Sequence, residues 1–274
     1  MAIPLAIPSS PAISLRAASK SFVRGGAWLP AVAEVSLDVA PGEVVSLVGP
    51  RGCGTSTLLS LVAGLETTTG GTVTVHGRPV AGVPDGVAYV SRNDVLLPWK
   101  DVLANVALGL HYRKVPRAEA DERARDWIHR VGLAGLEDRS PHQLTAAMRQ
   151  RAAVAQALVT EPSVLLLDEP FSDLDAETRE GMHADLFDLW CGTAPTVLFA
   201  TDDPVEAIGP ADRVAELTAG PATVKEVDTV DLPRPRRLEE VPLTPGVTEL
   251  HRRVWDSLRH EVEIARARGG RHVA

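Results

Sequence analysis

Apolar and polar positions alternate along the first part of the chain and change to helical spacing near residue 100. "ISLRAASKSF" and "AVAEVSLDVAPGEVVSLVG" repeat with period two until Pro41-Gly42, which predicts antiparallel strands leading into a buried strand at Val44 to Val48. A helix is predicted from Ser56 to a terminating Gly64. "GGTVTVHGRPV" predicts a hairpin and "GVAYVS" another short strand. From Val102 to Leu158 the pattern is helical, with "RAEADERARDWIHRVGL" amphipathic and "TAAMRQRAAVAQALVT" rich in alanine. Strand signals return in "SVLLLDEP" and "TVLFATDDP", short apolar runs that meet polar clusters as central parallel strands do at their carboxyl ends. After Val214 proline punctuates the chain, and "VTELHRRVWDSLRHEVEIARARGGRHVA" predicts a final helix whose "GGRHVA" end frays.

Composition narrows the class. A chain of 274 residues fits one large α/β domain, or a domain with a subdomain and a tail, and 45% hydrophobic with 23% charged residues is ordinary globular usage. The net charge of −8 argues against nucleic acid as a partner, because phosphate binding relies on clustered lysine and arginine. Two cysteines, Cys53 and Cys191, cannot build a disulfide framework or a four-ligand zinc site and suit a reducing cytoplasm. Cys53 sits inside a glycine turn, where a small buried side chain is the expected role. No apolar run is long enough to span a membrane, and proline-broken "MAIPLAIPSSPAIS" reads as a loose leader over residues 1–11.

The chemistry concentrates in "VSLVGPRGCGTSTLLSLVAGL", an apolar strand, a glycine-rich turn and a helix, the order that cradles a triphosphate. Gly49, Gly52 and Gly54 let the backbone curl so that N–H groups at a helix N-terminus face an anion. Ser56 supplies a hydroxyl for Mg²⁺, supported by Thr57. The lysine that this loop requires after Gly54 is replaced by Thr55.

Five fragments in fixed order, "GPRGCGTSTLLSLVAGLE", "NDVLLPWKDVLANVALGL", "HQLTAAMRQRAAVAQALVTEPSVLLLDEPFSDLDAETRE", "EAIGPADRV" and "VDLPRPR", carry a resemblance to the ATP-binding subunits of ABC transporters, most closely importer subunits for nitrate, sulfonate or taurine. They span roughly residues 12 to 260. The resemblance implies an α/β P-loop NTPase core with an antiparallel β subdomain and an inserted helical subdomain at about residues 93–154. The nucleotide-binding domain would run over 12–220, with a tail and terminal helix over 221–274. It also implies ATP and Mg²⁺ as cofactors and head-to-tail pairing with a second ABC ATP-binding subunit. Transmembrane permease subunits would dock near "NDVLLPW", and the place of work would be the inner face of the cell membrane.

The site residues implied by the resemblance run from Gly49, Pro50, Arg51, Gly52, Cys53, Gly54, Thr55, Ser56 and Thr57 in the phosphate loop to Phe22, where an aromatic stacks on adenine or packs the core. Asp168 stands as the Mg²⁺ partner beside Ser56, and Glu169 as the base or water-orienting carboxylate. Thr145, Ala146, Ala147 and Met148 occupy the signature, and Asp173 and Asp175 the loop that signals across the dimer. Trp99 in "LLPW" either serves docking or packs the core.

Several positions depart from the family. Thr55 removes one positive charge from the triphosphate; at about 1.5–3 kcal/mol for a charge-assisted contact this weakens ATP binding roughly ten- to hundredfold. Arg51 replaces a serine and either compensates or points outward. Arg92 replaces a glutamine that touches Mg²⁺ and water; a guanidinium is repelled by a divalent cation, leaving phosphate contact or a solvated loop position. Ala146 and Ala147 replace glycines where the backbone approaches the partner's γ-phosphate, while Thr145 still caps the helix, so an ordinary capped helix is the competing reading. Asp202 replaces a histidine and repels phosphate. An ion pair between Arg92 and Asp202 is expected from their opposite charges. These changes point to a retained fold with hydrolysis reduced or lost, leaving a weak importer ATPase or a non-hydrolysing structural or regulatory subunit.

Overall fold

Residues 13 to 39 form the long antiparallel pair that their alternation predicts, β1 (Ile13–Arg24) and β2 (Ala27–Val39), with Ile13 opposite Val39. The computed structural model describes residues 10–92, 95–172, 174–175, 178–179, 181–182, 194–231 and 246–268. Most of the leader, Asp173, Cys191 and "GGRHVA" lie outside these residues. Contacts divide the chain into two units, one of residues up to Asp85 together with Thr196 onward, the other Gly86–Pro195.

In the first unit the buried strand falls at β3 (Val44–Val48), followed by α1 (Thr55–Val62), which ends two residues short of Gly64. β4 (Gly70–Val75) and β5 (Arg78–Pro79) make the expected hairpin, and β4 joins β1 to give the antiparallel order β2-β1-β4-β5. The apolar face of β1 and β2, Ile13, Leu15, Val35, Leu37 and Val39, is buried; a side chain of that size contributes roughly 1.5–3 kcal/mol on leaving water. β3 is buried at every position and pairs in parallel with "TVLFAT" and "RVAEL"; these strands are named β8 and β9 below, after those of the second unit. Strands covered on both faces read as unbroken apolar runs, which is why Val44–Val48 shows no alternation.

The second unit holds a parallel pair, β6 (Val87–Val90) and β7 (Val164–Asp168), with Tyr89 opposite Leu166. Between them come α2 (Val102–Val106), α3 (Leu108–Tyr112), α4 (Arg117–Arg130) and α5 (Ala146–Leu158). α4 buries Ala120, Ala124, Trp127 and Ile128, the i, i+4, i+7, i+8 stripe of an amphipathic helix. Asn105 is fully buried and fixes the loop ahead of α2: its carboxamide accepts from Leu97 N and donates to the carbonyls of Leu97, Lys100 and Asp101.

Back in the first unit, β8 (Thr196–Thr201) leads into α6 (Pro204–Ile208), β9 (Arg213–Leu217), β10 (Val224–Thr229) and the 21-residue α7 (Val247–Ala267). The strand order here is β10-β9-β3-β8. The proline-punctuated text after Val214 therefore opens with an antiparallel hairpin that the sequence reading lacked. Pro221 lies in the turn between the two strands, and β10 carries no fully buried position, so neither strand shows an apolar alternation. α7 buries Val247, Leu250 and Val254 against Val48, Ile208, Val214 and Val230, which docks the terminal helix onto the end of β3.

Candidate nucleotide-binding site

The phosphate loop follows β3 as a tight turn, with Cys53 N donating to Pro50 O at 3.0 Å. Cys53 is buried, in keeping with a structural role. Gly54 has φ 121°, and a Cβ there would meet Ala31 O at 2.3 Å, so no side chain fits at this point. No side chain caps α1 and no acid lies in its first turn, which leaves the positive end of the helix to an anion. Ser56 is exposed and Thr57 half-buried at that end. Thr55 is only 7% exposed, so the position of the missing lysine faces inward and offers a triphosphate no charge.

Arg51 does not supply the missing charge freely. Its Nε donates to Asp202 Oδ2 at 2.6 Å, although its side chain stays 61% exposed. Asp202 directly follows β8, and the next residue, Asp203, caps α6 by accepting from Val205 N and Glu206 N. Asp202 pairs with Arg51 inside the first unit, and Arg92 pairs with Glu169 inside the second; the pair expected between Arg92 and Asp202 would have to join residues of different units. The reason is local, since the loop after β3 and the end of β8 are parallel neighbours, with Val48 opposite Thr201. Pro50, Arg51 and Asp202 also line a groove of about 380 Å³ with Leu258, Val262 and Arg266 of α7, a relation the sequence reading missed.

In the second unit β7 delivers Asp168 and Glu169. Asp168 is buried, and its Oδ2 accepts from the Tyr89 hydroxyl at 2.8 Å. Tyr89 was not singled out from sequence; its place in the short strand next to "LLLDEP" was the available signal. Glu169 has φ 44°, an uncommon value for a side-chain-bearing residue, and its carbonyl is held by Ser172 N and Oγ. Arg92 Nη1 lies 3.3 Å from Glu169 Oε2, so Arg92 is not a simply solvated side chain.

The signature residues open α5. Thr145 Oγ1 accepts from Met148 N at 3.2 Å, the cap expected of it; Thr145 and Ala146 are exposed, and Ala147 and Met148 half-buried. Asp175 caps Thr178 through N–H and hydroxyl, which holds its carboxyl below the usual range. Phe22 is half-buried on β1 with Lys20 Nζ 5.0 Å from its ring centroid, so it lies outside the core and has one face engaged. Trp99 is 76% exposed, which removes core packing as its role.

A glycine-bearing turn between a buried parallel strand and an uncapped helix, in a chain that also ends an apolar strand in Asp-Glu, is the construction of a P-loop nucleotide-binding protein. The family model for the ABC transporter matches residues 32–172. A taurine import ATP-binding protein, TauB, of Pseudomonas entomophila is 42% identical over 201 residues, 73% of this chain and 78% of that one. An uncharacterized ABC transporter ATP-binding protein of Methanocaldococcus jannaschii is 37% identical over 244 residues, 89% of this chain and 90% of the relative. Among solved structures, the dimeric ATP-binding cassette MJ0796 bound to ADP and Pi in a post-hydrolysis state superposes with a TM-score of 0.72 at 27% identity, covering 80% of this chain and 99% of the cassette. The chain belongs to the ABC transporter ATP-binding family, and its fold is that of the ABC ATPase cassette.

Proposed function

We propose that this chain is the ATP-binding subunit of an ABC importer of the nitrate, sulfonate or taurine type, with ATP hydrolysis slow or absent. One observation carries the reading: the loop keeps its anion-cradling backbone while Thr55 is buried and Arg51 is engaged by Asp202. The taurine-import relatives support the importer assignment. No described helix is long and apolar enough to cross a membrane, and the proposed importer is completed by separate permease subunits. Trp99, exposed on a loop that Asn105 fixes, is the proposed contact for a permease at the inner face of the membrane.

The residues present fit a nucleotide with its Mg²⁺. In the first unit, backbone N–H groups at the start of α1 would hold phosphate, the Ser56 hydroxyl would be a ligand for the ion, and Phe22 offers an aromatic face to adenine; in the second, the Asp168 carboxylate is the group suited to the ion. When bound, Mg²⁺ neutralises charge on the phosphate oxygens. Glu169 orients the attacking water, and Arg92, hydrogen-bonded to the same carboxylate, competes with that water. Thr145, Ala146, Ala147 and Met148 face a second ATP-binding subunit, where the added methyls keep the backbone from its phosphate.

The Arg92–Glu169 pair favours a second reading, a non-hydrolysing subunit that serves a structural or regulatory role. Calorimetry with Mg-ATP and a phosphate-release assay on the unmodified chain and on Thr55→Lys separate the two. Binding weaker than a complete cassette and tightened about ten- to hundredfold by Thr55→Lys is expected. Steady phosphate release by the unmodified chain selects the slow ATPase; none selects the non-hydrolysing subunit. No binding heat in either protein would refute the loop assignment.

A further inference from the structure

Three carboxylates gather on one face of the β9–β10 hairpin. Glu216 and Glu226 are directly opposite each other across the antiparallel pair, and Asp228 follows two residues along β10, which returns it to the same face. One oxygen from each lies within 4.8 Å of the others. Like charges directly opposite on paired strands repel, so the hairpin carries a standing cost unless something lies between them.

The surrounding cations do not remove that cost. Arg253 of α7 donates to Asp228 Oδ1, and Lys225 Nζ donates to Ser257 Oγ and to Glu261 Oε1, each at 3.0 Å. With Asp228 and Glu261 so paired, Glu216 and Glu226 remain as two negative charges. Glu216 is 4% exposed, and its Oε2, like Asp228 Oδ2, is buried with no hydrogen-bond partner among the described residues. Burial pushes the Glu216 carboxyl up and the charges of Asp228 and Glu226 add to the rise, which outweighs a hydrogen bond from Ser257 and the smaller pull of the Lys225 charge.

We propose that Glu216, Glu226 and Asp228 bind one divalent cation of the oxygen-preferring class. Two charges are available to balance it, and Glu216 and Asp228 each carry a buried oxygen with no hydrogen-bond partner among the described residues. The 4.8 Å span is about twice the 2.3–2.6 Å ligand distance of Ca²⁺, so an ion of that size fits without closing the strands, whereas Mg²⁺ requires the carboxylates to draw together. Exposed Glu226 gives the ion a route in, and water completes its shell. Arg253, on the other oxygen of Asp228, orients that ligand and ties the ion to α7, the helix that lines the groove with Arg51 and Asp202.

The test uses the nucleotide-free full chain, with Ca²⁺ followed by calorimetry and Mn²⁺ by electron paramagnetic resonance. The expected result is one ion bound per chain with a dissociation constant of about 1 mM or tighter, kept in Asp168→Asn and weakened at least tenfold in Glu226→Gln and in Asp228→Asn. Glu226 is exposed, so Glu226→Gln keeps the fold and decides the matter if Asp228→Asn does not fold. Binding that Asp168→Asn abolishes and Glu226→Gln leaves intact would assign the ion to the nucleotide site and overturn the proposal. So would no binding of either ion, with Glu216→Gln raising the melting temperature, because a proton would then be the occupant of the cluster.

Discussion

Arg51 Nε stands 2.6 Å from Asp202 Oδ2, which ties the phosphate loop to the end of β8. A cation placed beside the glycine turn is thereby held by an acid at the position where the resemblance implies a histidine, so on the proposed reading the charge offered to a phosphate is partly cancelled within the protein. The two departures, which look independent in sequence, act on each other.

Releasing Arg51 should restore part of that charge. Asp202→Asn is expected to tighten Mg-ATP binding several-fold, since one charge-assisted contact is worth about 1.5–3 kcal/mol and the exposed arginine recovers only a fraction of it. Stability should change by less than about 1 kcal/mol, because the Arg51 side chain is 61% exposed and exposed ion pairs contribute little. Calorimetry gives the first number and urea denaturation the second. A loss above about 2 kcal/mol would make the pair a structural clamp, and unchanged affinity would place Arg51 away from the nucleotide.

Much of this arrangement was legible in the chain, for identifiable reasons. Alternation located β1 and β2, an unbroken apolar run located β3, and glycine spacing located the loop, because each of these signals is local. The hairpin of β9 and β10 was missed because its polar face is turned toward α7, where Lys225 and Arg253 meet acids distant in sequence, and no apolar alternation survives. The pairing of Arg51 with Asp202, and of Arg92 with Glu169, depends on strand register and on the backbone turn at Glu169, which charge signs do not encode. Trp99 was ambiguous because an exposed and a buried tryptophan read alike in a sequence.

Trp99 is the most direct handle on assembly. Its side chain lies outside the packed interior, while the loop that carries it is fixed from beneath by Asn105. Trp99→Ala is expected to shift unfolding free energy by no more than about 0.5 kcal/mol, as surface substitutions do, and to leave Mg-ATP binding unchanged. Copurification with its permease subunits from membranes should fall sharply. Full copurification would remove this loop from the proposed interface, and a large stability loss would show that the tryptophan packs against its own chain.

Docking of α7 makes a prediction about acid stability through Glu261. Burial works against its charge, yet the Ala219 N–H at 2.8 Å and the Lys225 ammonium hold the carboxyl below the usual range. The folded protein then binds fewer protons here than the unfolded chain. This contribution is complete above the ordinary glutamate range and is lost as pH falls below that range through the depressed folded value. Urea midpoints measured across that window should fall for the natural chain. Glu261→Gln should be less stable by about 1–2 kcal/mol at pH 7 and show a shallower acid limb, since a neutral amide has no proton to gain. Parallel acid limbs in the two proteins would mean that other carboxylates set the acid response, and that α7 is held on β9 by its apolar face, through Val247, Leu250 and Val254, without help from this charge.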